Sequence, residues 1–161
     1  MNVIWAPWRA EYITQPKDSS CIFCSAPANN DPLILDKGRR CYAIMNRFPY
    51  TAGHSLVAPY RHVGDLTELS PEEVSEIMSM VKDIMSATRK AMNPAGFNVG
   101  CNIGAVAGAG IADHFHMHVV PRWNGDTNFM PVLSDVHIIS EHIQMTRTKI
   151  AEHLSKLKQE Q

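Results

Sequence analysis

The chain has 161 residues, 45% of them apolar and 19% charged, with a formal net charge of −1. That balance is globular rather than disordered, and the length suffices to bury one core, so residues 1–161 are expected to form a single domain. It offers no basic field for nucleic acid and no run of about 18 apolar residues for a bilayer, so neither is expected as a partner. The first residues lack the basic and apolar regions of a signal peptide, which makes the cytoplasm the expected compartment.

Residues 1–20 carry Trp5, Trp8 and Tyr12 among polar neighbours and are expected to form an arm that docks through its aromatic rings. Cys21-Ile22-Phe23-Cys24 follows. Without a secretory signal such a pair reads as a metal site, a redox site or unpaired thiols rather than a disulfide; Cys41 and Cys101 read as small buried apolar residues. Asn29-Asn30-Asp31-Pro32 is a turn. Leu33–Leu35 and Cys41–Met45 then flank Lys37-Gly38 as a hairpin, with Gly38 supplying the turn. His54–Pro59 reads as a third strand, followed by His62.

Residues 71–92 give the clearest helix. Ser70 suits the N-cap, Pro71 the first turn and Glu73 the reciprocal position of a capping box. Val74, Ile77, Met78, Val81, Ile84, Met85 and Met92 recur at helical spacing as its apolar stripe. Phe97–Ile103 reads as a fourth strand, and Pro121–Asp126 as a turn-rich exit. A helical pattern over residues 136–158 ends the chain, with His137, His142 and His153 on its solvated side. Neighbouring strands with one long helical crossover define an α+β fold.

The informative stretch is His114-Phe115-His116-Met117-His118-Val119-Val120, in which three of the eight histidines alternate with apolar residues. On a strand this spacing sets the three imidazoles on one face, roughly 6.5–7 Å apart, close enough to surround a small anion or a metal. Just before it, Gly104, Gly108 and Gly110 leave backbone N–H groups unshielded, as in anion-binding loops. Clustered imidazoles beside such a loop suit phosphoryl or nucleotidyl transfer, where positioning and charge stabilisation dominate. His116, flanked on both sides, is the candidate nucleophile, and His118 the group that stabilises charge or moves a proton. Between Gly104 and His114 there is no serine to assist a leaving group. Cys21 and Cys24 with two histidines would complete a tetrahedral Cys₂His₂ zinc site.

His114–Val120 resembles the His-φ-His-φ-His-φ-φ motif of the histidine triad (HIT) superfamily of nucleotide hydrolases and transferases. Asn46, Gly53–Pro59, Asn102 and the glycine loop are similar to that family as well. The resemblance implies a five-stranded antiparallel sheet with flanking helices, one a long crossover and one C-terminal, the sheet continuing across a homodimer. It implies that His116 attacks the α-phosphate of a nucleotide. Asn46 would hold ribose, and Asn102 with the N–H groups of Gly108, Ala109 and Gly110 would hold phosphate beside His118. Zinc-bearing members pair the Cys-x-x-Cys with two histidines, which correspond here to His62 and His114 and make the Zn²⁺ structural; His54 is the reserve ligand, or else a hydrogen-bonded strand residue.

Trp5–Arg9 and Val120–Phe129 look like the diadenosine tetraphosphate phosphorylase branch, whose members split the dinucleotide with inorganic phosphate into ADP and ATP. Many HIT proteins carry Gln or Ser just before the triad, whereas this chain has Gly110-Ile111-Ala112-Asp113. The expected function is a nucleotidyl transferase or hydrolase acting on dinucleoside polyphosphates. The alternatives are a HIT hydrolase of phosphoramidates or dinucleotides using water, and a non-catalytic nucleotide-binding regulator.

Overall fold

Why the first hairpin turns where it does follows from the helix packed beneath it. In a computed structural model, which describes residues 21–126, 139 and 141–160, strand β1 (Ile34–Lys37) returns as β2 (Cys41–Met45) across Gly38. Gly38 is not needed for a left-handed backbone, because its φ is not positive. It is needed for space: a Cβ there would collide with Glu76 Oε1 and Met80 Cε. Glu76 enters that gap and accepts hydrogen bonds from the N–H groups of Arg40 and Cys41 at 3.0 and 3.2 Å.

Ahead of the hairpin, α1 (Ile22–Ala28) is opened by Cys21, whose carbonyl accepts from the N–H of Cys24 and of Ser25 at 3.0 Å each. After it come β3 (Ser55–Pro59) and α2 (Pro71–Met92). The capping box at Ser70 and Glu73 forms as predicted, and Asn93, with φ 48°, ends the helix in the left-handed region. The stripe that α2 buries runs through Ile77, Met80, Val81, Ile84 and Ala87. Met78, predicted as part of it, is exposed, because the helix is rotated so that Met80 faces the sheet.

β4 (Gly96–Gly100) stops three residues short of the predicted Ile103, and Gly104, with φ 82°, then turns the chain into the loop. β5 (Met117–Arg122) contains His118, whereas His114 and His116 precede it. The last helix, α3 (Ile143–Gln159), begins later than residue 136, because His142 is its N-cap and accepts the Gln144 N–H through Nδ1. His153 lies on α3, half-buried rather than solvated. The N-terminal arm of residues 1–20, the Thr127–Phe129 part of the exit segment and His137 lie outside the described residues.

The sheet order is β1-β2-β3-β5-β4, and every pair is antiparallel, which is the predicted α+β arrangement with α2 as the crossover. α2 covers one face, and α3 packs on α2 and on β1. Arg147 of α3 donates twice to the Ile34 carbonyl, at 3.1 and 2.8 Å, where the β1 register slips. α1 covers the other face, where Tyr42 Oη donates to the Phe23 carbonyl at 2.7 Å. No helix among the described residues is long and apolar enough to cross a membrane.

Candidate active site and metal centre

The second face of the sheet carries the chemistry. Leu56 of β3 and Gly100 of β4 flank His118 in register, so His118 sits mid-sheet. Upstream of the strand the chain is tied to the segment after β3: the Phe115 N–H donates to the Val63 carbonyl at 2.6 Å, and Phe115 buries itself in the core. The three imidazoles therefore share one side of the chain, but each has different partners.

His114 is fully buried, and its Nε2–H donates to the Pro59 carbonyl at 2.9 Å. That bond fixes the tautomer and leaves Nδ1 as a bare lone pair. Around Nδ1 stand His62 Nδ1 at 3.2 Å, Cys21 Sγ at 3.3 Å and Cys24 Sγ at 3.6 Å, while Cys24 Sγ is 3.4 Å from His62 Nδ1. All four ligand atoms lie within 4.8 Å of one another. Tetrahedral zinc with bonds of about 2.0–2.3 Å separates its ligand atoms by roughly 3.3–3.8 Å. Two thiols and two imidazole nitrogens converging at these distances could hold a metal ion, so Cys21, Cys24, His62 and His114 fit the predicted ligand set. His54, the reserve ligand, is not among them.

His116 is also buried, and its Nδ1 bonds to the His114 carbonyl at 2.8 Å. A carbonyl only accepts, so the proton is on Nδ1 and Nε2 carries the lone pair. Phe23 stacks on the ring with centroids 4.6 Å apart. Burial pushes the His116 pKa below the ordinary imidazole value, against the carbonyl bond, which raises it.

His118 is paired through His54. The Tyr50 N–H donates to His54 Nδ1 at 3.1 Å, so His54 carries its proton on Nε2 and passes that hydrogen bond to His118 Nδ1 at 2.9 Å. The His118 proton is thereby set on Nε2, which is buried with no hydrogen-bond partner among the described residues. Burial first, then the neighbouring imidazoles, push His54 down to about 3 and His118 down to about 4, so both rings are neutral at pH 7. His116 and His118 face each other at 5.0 Å between centroids. The exposed Tyr50 ring covers His54 at 4.6 Å.

Asn46 stands beside this pair: its Nδ2 is 3.3 Å from His54 Nδ1, and its Oδ1 accepts the Phe48 N–H at 2.9 Å. Asn102 Nδ2 donates to the Gly108 carbonyl at 3.3 Å and braces the glycine loop. The loop itself corrects one expectation. The N–H groups of Gly108 and Ala109 bond back to the carbonyls of Ala105 and Gly104, because Ala105–Ala107 closes as a 3₁₀ turn onto left-handed Gly108. Of the three loop N–H groups expected to face an anion, only that of Gly110 makes no backbone bond within the loop. A groove of about 1110 Å³ runs past His118, Gly100, Cys101 and Asn102.

Two residues of the site have partners that the sequence does not announce. His54 is the hydrogen-bonded alternative to a metal ligand; period-two parity puts it on the same face as Leu56, but only the β3–β5 register brings it to His118. Phe23, between the two cysteines, gave no periodic signal of contact with His116.

An antiparallel α+β sheet, a Cys₂His₂ cluster and a buried imidazole with a bare Nε2 beside a second buried ring define the class of site. The HIT domain family matches residues 28–125, and the chain belongs to that family. It is 35% identical to AP-4-A phosphorylase of Mycobacterium tuberculosis over 92% of this chain and 82% of that one. Adenosine 5'-monophosphoramidase of Schizosaccharomyces pombe is 34% identical, with 65% of this chain and 76% of the relative covered. A zinc-bound histidine triad family protein from Mycobacterium smegmatis superposes with a TM-score of 0.73 at 29% identity, covering 88% of this chain and 98% of the other.

Proposed function

We propose that this HIT-family enzyme transfers a nucleotidyl group from a dinucleoside polyphosphate such as diadenosine tetraphosphate through a covalent intermediate on His116. The observation that carries the reading is the pair of ring states: a bare Nε2 on His116, and a buried N–H on His118 with no partner among the described residues. In the first step the His116 Nε2 lone pair attacks the α-phosphorus, and the bond to the bridging oxygen breaks to release ATP. Nδ1 keeps its proton, so the nucleotidylated ring is cationic and the His114 carbonyl stabilises it. His118 Nε2–H donates to a non-bridging oxygen of the same phosphorus. In the second step an acceptor oxygen attacks, the P–N bond breaks with its electron pair returning to His116 Nε2, the acceptor's proton passes to solvent, and His116 is again neutral. Phosphate as acceptor gives ADP; water gives AMP.

Asn46, beside His54, is assigned to ribose, and Asn102 with the N–H of Gly110 to the phosphates, at the end of the loop that Gly108 and Ala109 close. Cys21, Cys24, His62 and His114 would hold a structural Zn²⁺, which would supply folding energy and join α1 to the triad. The zinc-bound mycobacterial relative supports this assignment. The loop from Cys101 to Asp113 contains no hydroxyl side chain. A polyphosphate leaves unprotonated, whereas an amine needs a proton, so the loop favours the dinucleotide over the phosphoramidate named for the fission-yeast relative. β4 is an edge strand with Asn98, Val99 and Gly100 exposed, which supports a homodimer that continues the sheet there. Incubation of diadenosine tetraphosphate with the protein, with and without phosphate, tests the acceptor: ADP appearing only with phosphate means phosphorolysis, and AMP in both means hydrolysis.

A further inference from the structure

Phe23 lies between the two cysteines of the metal cluster, 3% exposed, and its ring is shared by two imidazoles. It stacks on His116 at 4.6 Å with 29° between planes, and leans on the ligand His114 at 5.2 Å and 39°. The segment that carries it is a seven-residue helix, held by Tyr42 Oη on the Phe23 carbonyl at 2.7 Å, with Cys21 at its N-cap and Cys24 in its first turn. A histidine's χ2 torsion has broad wells, so the single bond from His116 Nδ1 to the His114 carbonyl leaves the ring plane free to swing. A ring stacked on one face removes that freedom.

We infer that Phe23 is a positioning residue for the nucleophile: the Cys-x-x-Cys segment delivers its ring onto His116, so that metal binding clamps the plane of the attacking imidazole. The cluster and the reactive Nε2 are then coupled at two points, through the His114 carbonyl and through the Phe23 ring. This inference rests on the reading of His116 as the nucleophile. It concerns where Nε2 points, and misplacement of a reacting atom by about 1 Å costs on the order of a hundredfold in rate.

The test compares Phe23→Leu, which keeps an apolar side chain and loses the ring, with Phe23→Tyr, which keeps the ring. Four quantities are read on zinc-loaded protein: metal per chain, the KM and the single-turnover rate of His116 nucleotidylation with diadenosine tetraphosphate, and the NMR resonances of the His116 ring protons. Phe23→Leu is expected to keep its metal and a KM within about threefold, to lose about ten- to a hundredfold in the single-turnover rate, and to shift the His116 resonances. Phe23→Tyr is expected to restore rate and resonances, and chelation of the wild-type protein to move the same resonances. Wild-type rate with unmoved resonances in Phe23→Leu would overturn the inference. If the wild-type protein forms no nucleotidyl-histidine, the proposed function fails, and the resonances still report whether Phe23 sets the ring. Should Phe23→Leu not fold, Tyr42→Phe frees the carbonyl that anchors the segment; unmoved His116 resonances there overturn the coupling, and shifted ones support it.

Discussion

Replacing His54 by Gln removes an imidazole that is wholly buried and held neutral beside His118. Its pKa in the fold is about 3 against an ordinary 6.5, with burial as the main cause and the charges of His118 and His116 behind it. Between those two values the unfolded chain binds the proton and the folded chain does not, so stability rises with pH there. The contribution is fully present above 6.5 and is lost as the pH falls toward 3. At pH 4.5 the unfolded imidazole lies two units below its pKa, which costs the folded state about 2.7 kcal/mol, against about 0.2 at pH 7. His54 alone should therefore remove about 2.5 kcal/mol between pH 7 and pH 4.5, a large part of a typical margin of about 5–15 kcal/mol. The assay is urea unfolding of wild type and His54→Gln at both pH values. Gln lowers stability by a pH-independent amount, and acid release of metal affects both proteins alike, so the difference of differences isolates the ring. Equal losses in the two proteins would refute the reasoning.

The metal centre predicts that purified protein holds about one zinc per chain and that Cys24→Ser loses it, with lower stability, by metal analysis and thermal unfolding. Gly38→Ala displaces the Glu76 carboxylate from the hairpin and leaves the buried Cys41 N–H without it, while the exposed Arg40 N–H turns to water, which should cost about 1 kcal/mol in urea unfolding. Val99→Glu puts a charge on the exposed edge of β4 and should turn a dimer into a monomer by light scattering. An unchanged mass would remove the edge from the interface.

Alternation around His114–His118, the capping signals at Ser70 and Glu73, and the Cys21-x-x-Cys24 spacing carry most of the site in one dimension, because period and spacing are local properties. What failed depended on neighbours distant in the chain. The role of Gly38 required Glu76, 38 residues later in the chain and folded against it, and the exposure of Met78 required the rotation of α2 on the sheet. His54 required the strand register, which period-two parity does not fix. Gly108 and Ala109 turned their N–H groups inward because a 3₁₀ turn satisfies them locally, a choice that glycine permits without announcing it. The tautomers are absent from the sequence altogether. They follow from the carbonyls of Pro59 and His114 and from the N–H of Tyr50, which are backbone groups with no side-chain signature.

Attack by His116 on a nucleotide phosphorus is tested most directly by quenching the enzyme during turnover of diadenosine tetraphosphate and mapping the adduct by mass spectrometry. The mechanism predicts an acid-labile AMP adduct on His116, absent from His116→Ala, whose turnover is also lost. An adduct on another residue, or wild-type turnover by His116→Ala, would contradict it.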